Sequence, residues 1–275
     1  MLQLVTDSSC DLPEELIKQY NIHVVPLTVN IDGKVYTEKV DITPKEFYAK
    51  MATSRSLPKT SQPAPSLFAE TFKKLSHLGQ ILCITISSGL SGTFESASHG
   101  KKLSEADVTV FDSLGGSLGH GLQVLKAAKL AEAGHTVEDI IKKLTEYRSE
   151  MTILILLNTL ENIVKGGRLS RFQGTIGKLL DVRIMLRNDK DGKVVLKSKS
   201  RGTKRFMEMV LQHITNVRPD MSTVDVGITH FNNEKDAEYL KKELQTNCHA
   251  RSVIINDMGI TMATYAGEGG MIVSF

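Results

Sequence analysis

Hydroxyl side chains gather where aliphatic runs stop. Ser8 and Ser9 follow the run 2–6, Ser87, Ser88 and Ser91 follow 81–86, and Ser113 follows 108–111. In Ser87-Ser88-Gly89-Leu90-Ser91-Gly92-Thr93 a strand, a Gly/Ser turn and a helical pattern come in order, which puts Ser91, Gly92 and Thr93 in the first turn of a helix. Free backbone N–H groups and the helix dipole favour an anion there, and a glycine lets it approach closely. Thr60 and Ser61, inside the proline-rich stretch 58–65, add hydroxyl donors. Any one of these serines serves equally well as a helix N-cap; it is their coincidence at three strand ends that points to an anion site.

Other machinery is excluded by spacing. A nucleophile elbow needs glycine two places after its serine, and Thr93 stands there after Ser91. The stretch Gly174-Thr175-Ile176-Gly177-Lys178 is too short between its glycines for a phosphate-binding P-loop, and Gly119-His120-Gly121 lacks the third glycine of a dinucleotide fingerprint. The eight histidines show no metal-ligand spacing, so no metal is expected. Arg168, after Gly166-Gly167, reads either as a fork for a carboxylate or phosphate or as a solvated residue closing a helix.

The elements that must position these groups follow from periodicity. Short aliphatic runs alternate with helical patterns through the first half, the signature of parallel strands joined by crossover helices, and ligands of such sheets bind at the carboxyl ends of the strands. Strands are expected over 2–6, 22–31, 81–86, 108–111 and 152–157. Asp11 with Glu14 reads as a capping box and Asp32-Gly33 as a hairpin turn. After Asn158 the texture changes to a hairpin around Asp191-Gly192, a helix over 203–217, a strand over 223–230, a helix over 236–244, a strand over 252–255 and a closing strand over 271–275. The fold class is therefore α/β in two domains: a Rossmann-like parallel-sheet domain over 1–157 and an α+β domain with a mixed sheet over 158–275.

Composition agrees with a folded protein. The 275 residues are 41% hydrophobic and 24% charged, enough for a sizeable core without disulfides, and Cys10, Cys83 and Cys248 form no Cys-x-x-Cys pair. A reducing, cytoplasmic location is expected, with no signal peptide and no apolar run long enough to span a bilayer. The net charge of +3 is small and reads as evenly scattered, which predicts no binding to nucleic acid. Any anion must be held locally.

Taken together, Thr6-Asp7-Ser8-Ser9, Lys59-Thr60-Ser61-Gln62-Pro63, the 87–93 run, Asp112-Ser113, Leu160-Glu161-Asn162 and Lys165-Gly166-Gly167-Arg168 resemble, in order, the motifs of the DegV family of bacterial fatty-acid-binding proteins. The resemblance implies a two-domain protein, with no cofactor, that holds one long-chain fatty acid in a tunnel and is not itself an enzyme. It further implies presentation of the carboxylate to a separate ATP-dependent fatty acid kinase subunit, giving an acyl phosphate for phospholipid synthesis; transient contact with a membrane surface is compatible with that role. Carried onto this chain, Ser61 and Ser91 hold the carboxylate with Thr60 and Thr93 nearby, and Arg168 serves kinase docking or the phosphoryl group. Tyr265 stands where the family pattern Thr-His-x-Gly-Pro-Gly has its histidine, Glu268 stands for the proline, and Arg183-Ile184 replaces the usual Lys-Pro. A tyrosine hydroxyl donates a hydrogen bond but carries no positive charge near neutral pH.

Given such a ligand, Ile163, Phe172, Ile176, Ile184 and Met262 are the tunnel candidates. Burying a sixteen-carbon tail contributes on the order of 11 kcal/mol gross at roughly 0.8 kcal/mol per methylene. That outweighs carboxylate desolvation, provided that hydroxyl and backbone donors replace its water. Two other readings remain open: a serine-dependent lipid or acyl-ester hydrolase, and a regulatory module that senses a lipid without handing it over.

Overall fold

The computed structural model describes residues 2–169 and 182–275. Its strands are β1 (Gln3–Asp7), β2 (His23–Val25), β3 (Thr28–Ile31), β4 (Lys34–Thr37), β5 (Lys59–Ser61), β6 (Ile81–Thr85), β7 (Val108–Asp112), β8 (Ile153–Leu157), β9 (Val182–Asn188), β10 (Val194–Arg201), β11 (Asp225–His230), β12 (Ser252–Asp257) and β13 (Met271–Ser274). They form a four-stranded parallel sheet, β2-β1-β6-β7, a six-stranded mixed sheet, β10-β9-β8-β13-β11-β12, and a small antiparallel sheet, β4-β3-β5. The helices are α1 (Glu14–Gln19), α2 (Pro44–Thr53), α3 (Pro65–Leu75), α4 (Thr93–Ser104), α5 (Leu118–Glu132), α6 (Val137–Glu150), α7 (Glu161–Lys165), α8 (Thr203–Val217), α9 (Glu234–Asn247) and α10 (Ile260–Ala266).

Strand alternation builds both large layers. In the parallel sheet Val5, Cys83 and Val108 face Phe68 and Phe72 of α3 and Ala97 of α4. Their neighbours Leu4, Leu82 and Ile84 face Leu118 and Leu125 of α5 and Ile140 and Leu144 of α6. In the mixed sheet Leu154, Leu156, Val226 and Val273 pack on α8 and α9 through Val210, Ile214, Leu240 and Leu244. Ile153, Ile155, Leu157, Leu186 and Ile272 point the other way, toward α10, α2 and the small sheet through Ala263, Phe47, Tyr48 and Val29. The α/β class with a parallel and a mixed sheet thus holds.

Three expectations are corrected. The run 22–31 is two strands in two sheets, because Pro26 has no N–H for the ladder: pairing with β1 stops at Val25, and β3 turns away to pair with β4 and β5. The capping box of Asp11 and Glu14 does not form. Pro13 precedes α1 with no side-chain cap, while Asp11 is buried in a left-handed conformation, its carboxyl group accepting from Ser117 Oγ at 2.6 Å. The strand over 152–157, read with the first unit, pairs with β13 and β9 in the mixed sheet. The Asp32-Gly33 hairpin does form, with φ of 48° and 95° at its two turn residues, as a type I′ turn requires.

Candidate functional site

The strand-end serines meet different fates. Ser8 donates to Glu38 Oε2 at 2.7 Å, Ser9 donates to Asp7 Oδ1, and Ser113 donates to the Gly115 carbonyl. These hydroxyls are taken up by the scaffold. After β6 the chain instead makes a tight turn, in which the N–H groups of Leu90 and Ser91 return to the Ser87 carbonyl and Ser87 itself is pinned to Gly115 and Gly192. That turn presents Leu90 and Ser91 outward from the sheet end. Ser91 Oγ lies 2.9 Å from Thr93 Oγ1 and accepts from the Thr93 N–H at 3.3 Å.

Ser91 opens onto a narrow cavity of about 60 Å³ whose wall is overwhelmingly apolar, including Leu114, Ile153, Ile155, Ile163, Met262 and Ile272. Its polar end is made by Thr60, Ser91, Arg168 and Tyr265, and Arg168 is the one charged residue of the lining among the described residues. Four separate elements deliver this end. Thr60 comes from edge strand β5 and meets Tyr265 of α10 across 2.6 Å, hydroxyl to hydroxyl. Arg168 follows the glycine corner after α7, donates to the carbonyls of Leu90 and Gly166, and lays its guanidinium over the Tyr265 ring at 4.9 Å. Gly166 is needed for space here, since a Cβ would enter the Tyr265 ring.

Below the cavity, α10 stands on buried acids. Glu38 accepts from Ser8, from the Thr261 hydroxyl at 2.7 Å and from the Thr261 N–H at 3.2 Å. Asp11 is fully buried beside it, and burial together with the Glu38 charge pushes its carboxyl up to about 8. Thr261 also lines the cavity, so this buried network continues into the wall. Among the described residues no group of three or more His, Cys, Asp or Glu side chains is arranged to hold a metal.

An apolar slot with hydroxyls and one guanidinium at its end suits an amphiphile with an anionic head. The model of the family described as "Uncharacterised protein, DegV family" matches residues 1–275. The chain belongs to the DegV family. A DegV domain-containing protein of Streptococcus pneumoniae is 38% identical over 268 residues, spanning 97% of this chain and 95% of that one. A DegV protein of Thermus thermophilus, whose solved structure is described as showing fatty acid binding, is 30% identical with a TM-score of 0.92, covering 100% of this chain and 99% of that one. DegV of Bacillus subtilis, described as a fatty acid binding protein, is 29% identical with a TM-score of 0.87, covering 99% and 98%.

Within this DegV chain, the head-group candidates Thr60, Ser91 and Tyr265 come together with Arg168 at one end of the cavity, and Thr93 sits buried behind Ser91. Ser61 is not brought there. Side chains of a strand alternate, so with Thr60 turned to Tyr265 its neighbour Ser61 faces the opposite side and is exposed. Ile163 and Met262 line the cavity, whereas Ile184 packs in the apolar cluster behind it; Phe172 and Ile176 lie outside the described residues. Sequence reasoning missed Leu90, Leu114 and Thr261. Leu90 lies inside the serine motif and Leu114 beside Ser113, so proximity to the strand ends was an available signal, but nothing local marks Thr261.

Proposed function

We propose that this DegV protein binds a long-chain fatty acid, its tail in the apolar cavity and its carboxylate at the end formed by Thr60, Ser91 and Tyr265. The observation that carries this reading is the segregation of the lining: a mostly aliphatic wall, interrupted by Thr261 and Asn188, and one end where the hydroxyls of Thr60, Ser91 and Tyr265 meet Arg168, the one cation of the lining among the described residues. A space of about 60 Å³ is far smaller than a long acyl chain. Uptake therefore requires flexible lining side chains, Met262 and Leu90 above all, to change rotamer.

On this proposal the protein is a non-catalytic, acyl-presenting subunit in the cytoplasm, and Arg168, at the head-group end of the cavity, stands where a separate ATP-dependent kinase subunit would act to supply an acyl phosphate for phospholipid synthesis. Among the described residues the hydrogen-bond partners of Ser91 Oγ are the Thr93 N–H, which can only donate, and the Thr93 hydroxyl, which is too weak a base to activate a serine; this favours binding over a hydrolase built on Ser91. Native mass spectrometry tests the core of the proposal. The expected result is a long-chain fatty acid retained through purification, or stoichiometric uptake when one is offered to delipidated protein. Neither retention nor uptake would overturn it.

A further inference from the structure

A second concave surface lies behind the cavity, where the C-terminal end of α6, the β9–β10 hairpin and α8 meet around a cleft of about 530 Å³. Arg148, Arg187, Lys190, Lys197 and His213 line it. None of the four Lys and Arg side chains makes an ion pair among the described residues. The one carboxylate in the lining among the described residues, Asp189, accepts through Oδ1 from the N–H groups of Asp191 and Lys193 in the hairpin turn.

Charge is far from evenly scattered here: residues 182–205 hold nine Lys or Arg and two Asp, in a chain whose totals are 34 and 31. Two cations are set in place by structure. Arg148 stacks on the Phe111 ring at 4.6 Å and donates to the Asp112 carbonyl. Lys197 is the extra residue of a bulge between Leu196 and Ser198, a device that re-aims a side chain. At the floor, Gln123 uses its Nε2 on the carbonyls of Ser113 and Gly119 and leaves Oε1 without a donor. The His213 imidazole is held below its usual range by burial and by Lys197 and Arg187, as expected where positive charges converge without a counter-ion.

Clustered cations in a concavity of this size repel one another until an anion joins them, and arginine forks match a phosphate's oxygens. We infer that this cleft is a binding site for a small soluble phosphate-bearing anion, held by Arg148, Arg187 and Lys197. Leu114, Ile153 and Asn188 line both this cleft and the apolar cavity, so the two sites share a wall, but the inference does not rest on what fills the cavity.

The test is calorimetric titration of the full chain with inorganic phosphate, pyrophosphate and phenyl phosphate at low ionic strength, with the His213 ring followed by NMR. Saturable binding is expected, with the His213 pKa rising when ligand is present. The double variant Arg187→Gln/Lys197→Gln and the single variant Arg148→Gln should each weaken binding about tenfold or more, and Lys45→Gln, on α2 across the mixed sheet, should leave it unchanged. Absence of saturation, equal affinity in the cleft variants, or binding to phosphatidylglycerol vesicles without binding to the soluble phosphates would overturn the inference.

Discussion

Ser91 and Tyr265 sit at the same end of the cavity but are asked for different amounts of free energy. A hydrogen bond to a carboxylate contributes about 1.5–3 kcal/mol, against about 0.5–1.5 kcal/mol for a neutral pair. Ser91→Ala removes a donor from the proposed head group, so fatty acid affinity should fall about 10- to 100-fold. Tyr265→Phe removes the partner of Thr60 while leaving a ring under Arg168, and should cost about tenfold at most. Competition against a fluorescent fatty acid measures both; an unchanged Ser91→Ala would reject the assigned role. Tyr265 also departs from the family histidine in a way that bears on pH. With no imidazole at this position, affinity between pH 5 and 8 should not follow a histidine titration, and substituting Tyr265→His should introduce one.

At the scale of elements the site depends on α10, the helix that sequence reading passed over. It is seven residues long, begins after Gly259 and ends at Gly267, so it is too short to display a helical period and its flanks read as a glycine-rich loop. The longer elements were legible because their signals are local. Thr136 caps α6 by accepting from the Asp139 N–H, the helix over 203–217 shows its apolar face at every turn, and Asp32-Gly33 supplies the two positive-φ residues that its turn needs. What was not legible depends on distant partners: an all-aliphatic strand such as β8 does not say which sheet it joins, and Asp11 gives up capping because Ser117, more than a hundred residues away, binds it instead. The meeting of Thr60, Ser91, Arg168 and Tyr265 is of the same kind, visible beforehand only through family likeness. Gly259 allows α10 to approach the acids beneath it, for a Cβ there would run into Asp11 Oδ1 and lie 2.8 Å from Glu38 Oε1. Gly259→Ala should therefore destabilise the fold by about 1–3 kcal/mol, as overpacking does, and weaken fatty acid binding by shifting Met262 and Tyr265. Thermal unfolding checks the first effect, and a melting temperature equal to the parent's would show that this approach is not tight.

For the whole molecule, the acids under α10 join distant stretches of chain: Asp11 follows β1, Glu38 follows β4, Ser117 precedes α5 and Thr261 lies in α10. The proton held by Asp11 is accordingly a property of the folded state alone. The Asp11 carboxyl titrates near 8 when folded, because of burial first and Glu38 second, against an ordinary value of 3.8. Between those two values the folded chain keeps a proton that the unfolded chain has released. The unfolded state then binds fewer protons, so stability falls as pH rises through this window and levels off above about 8. Asp225 acts with the opposite sign elsewhere on the scale. Burial would raise it, but the two-pronged contact with Arg251, the Ser252 hydroxyl and Lys129 hold it down to about 2, so its contribution is present above 3.8 and is lost as pH drops toward 2. Chemical denaturation at a series of pH values separates the two. Asp11→Asn, which keeps an acceptor for Ser117 and removes the ionisable group, should flatten the decline between pH 5 and 8 and leave the variant more stable than its parent at pH 8. Asp225→Asn should instead lower stability near neutrality and flatten the loss at acid pH. Parallel curves for Asp11→Asn and its parent would mean that Asp11 is ionised in the folded protein, with Lys39 and the donors of Ser117 and Gly259 outweighing its burial.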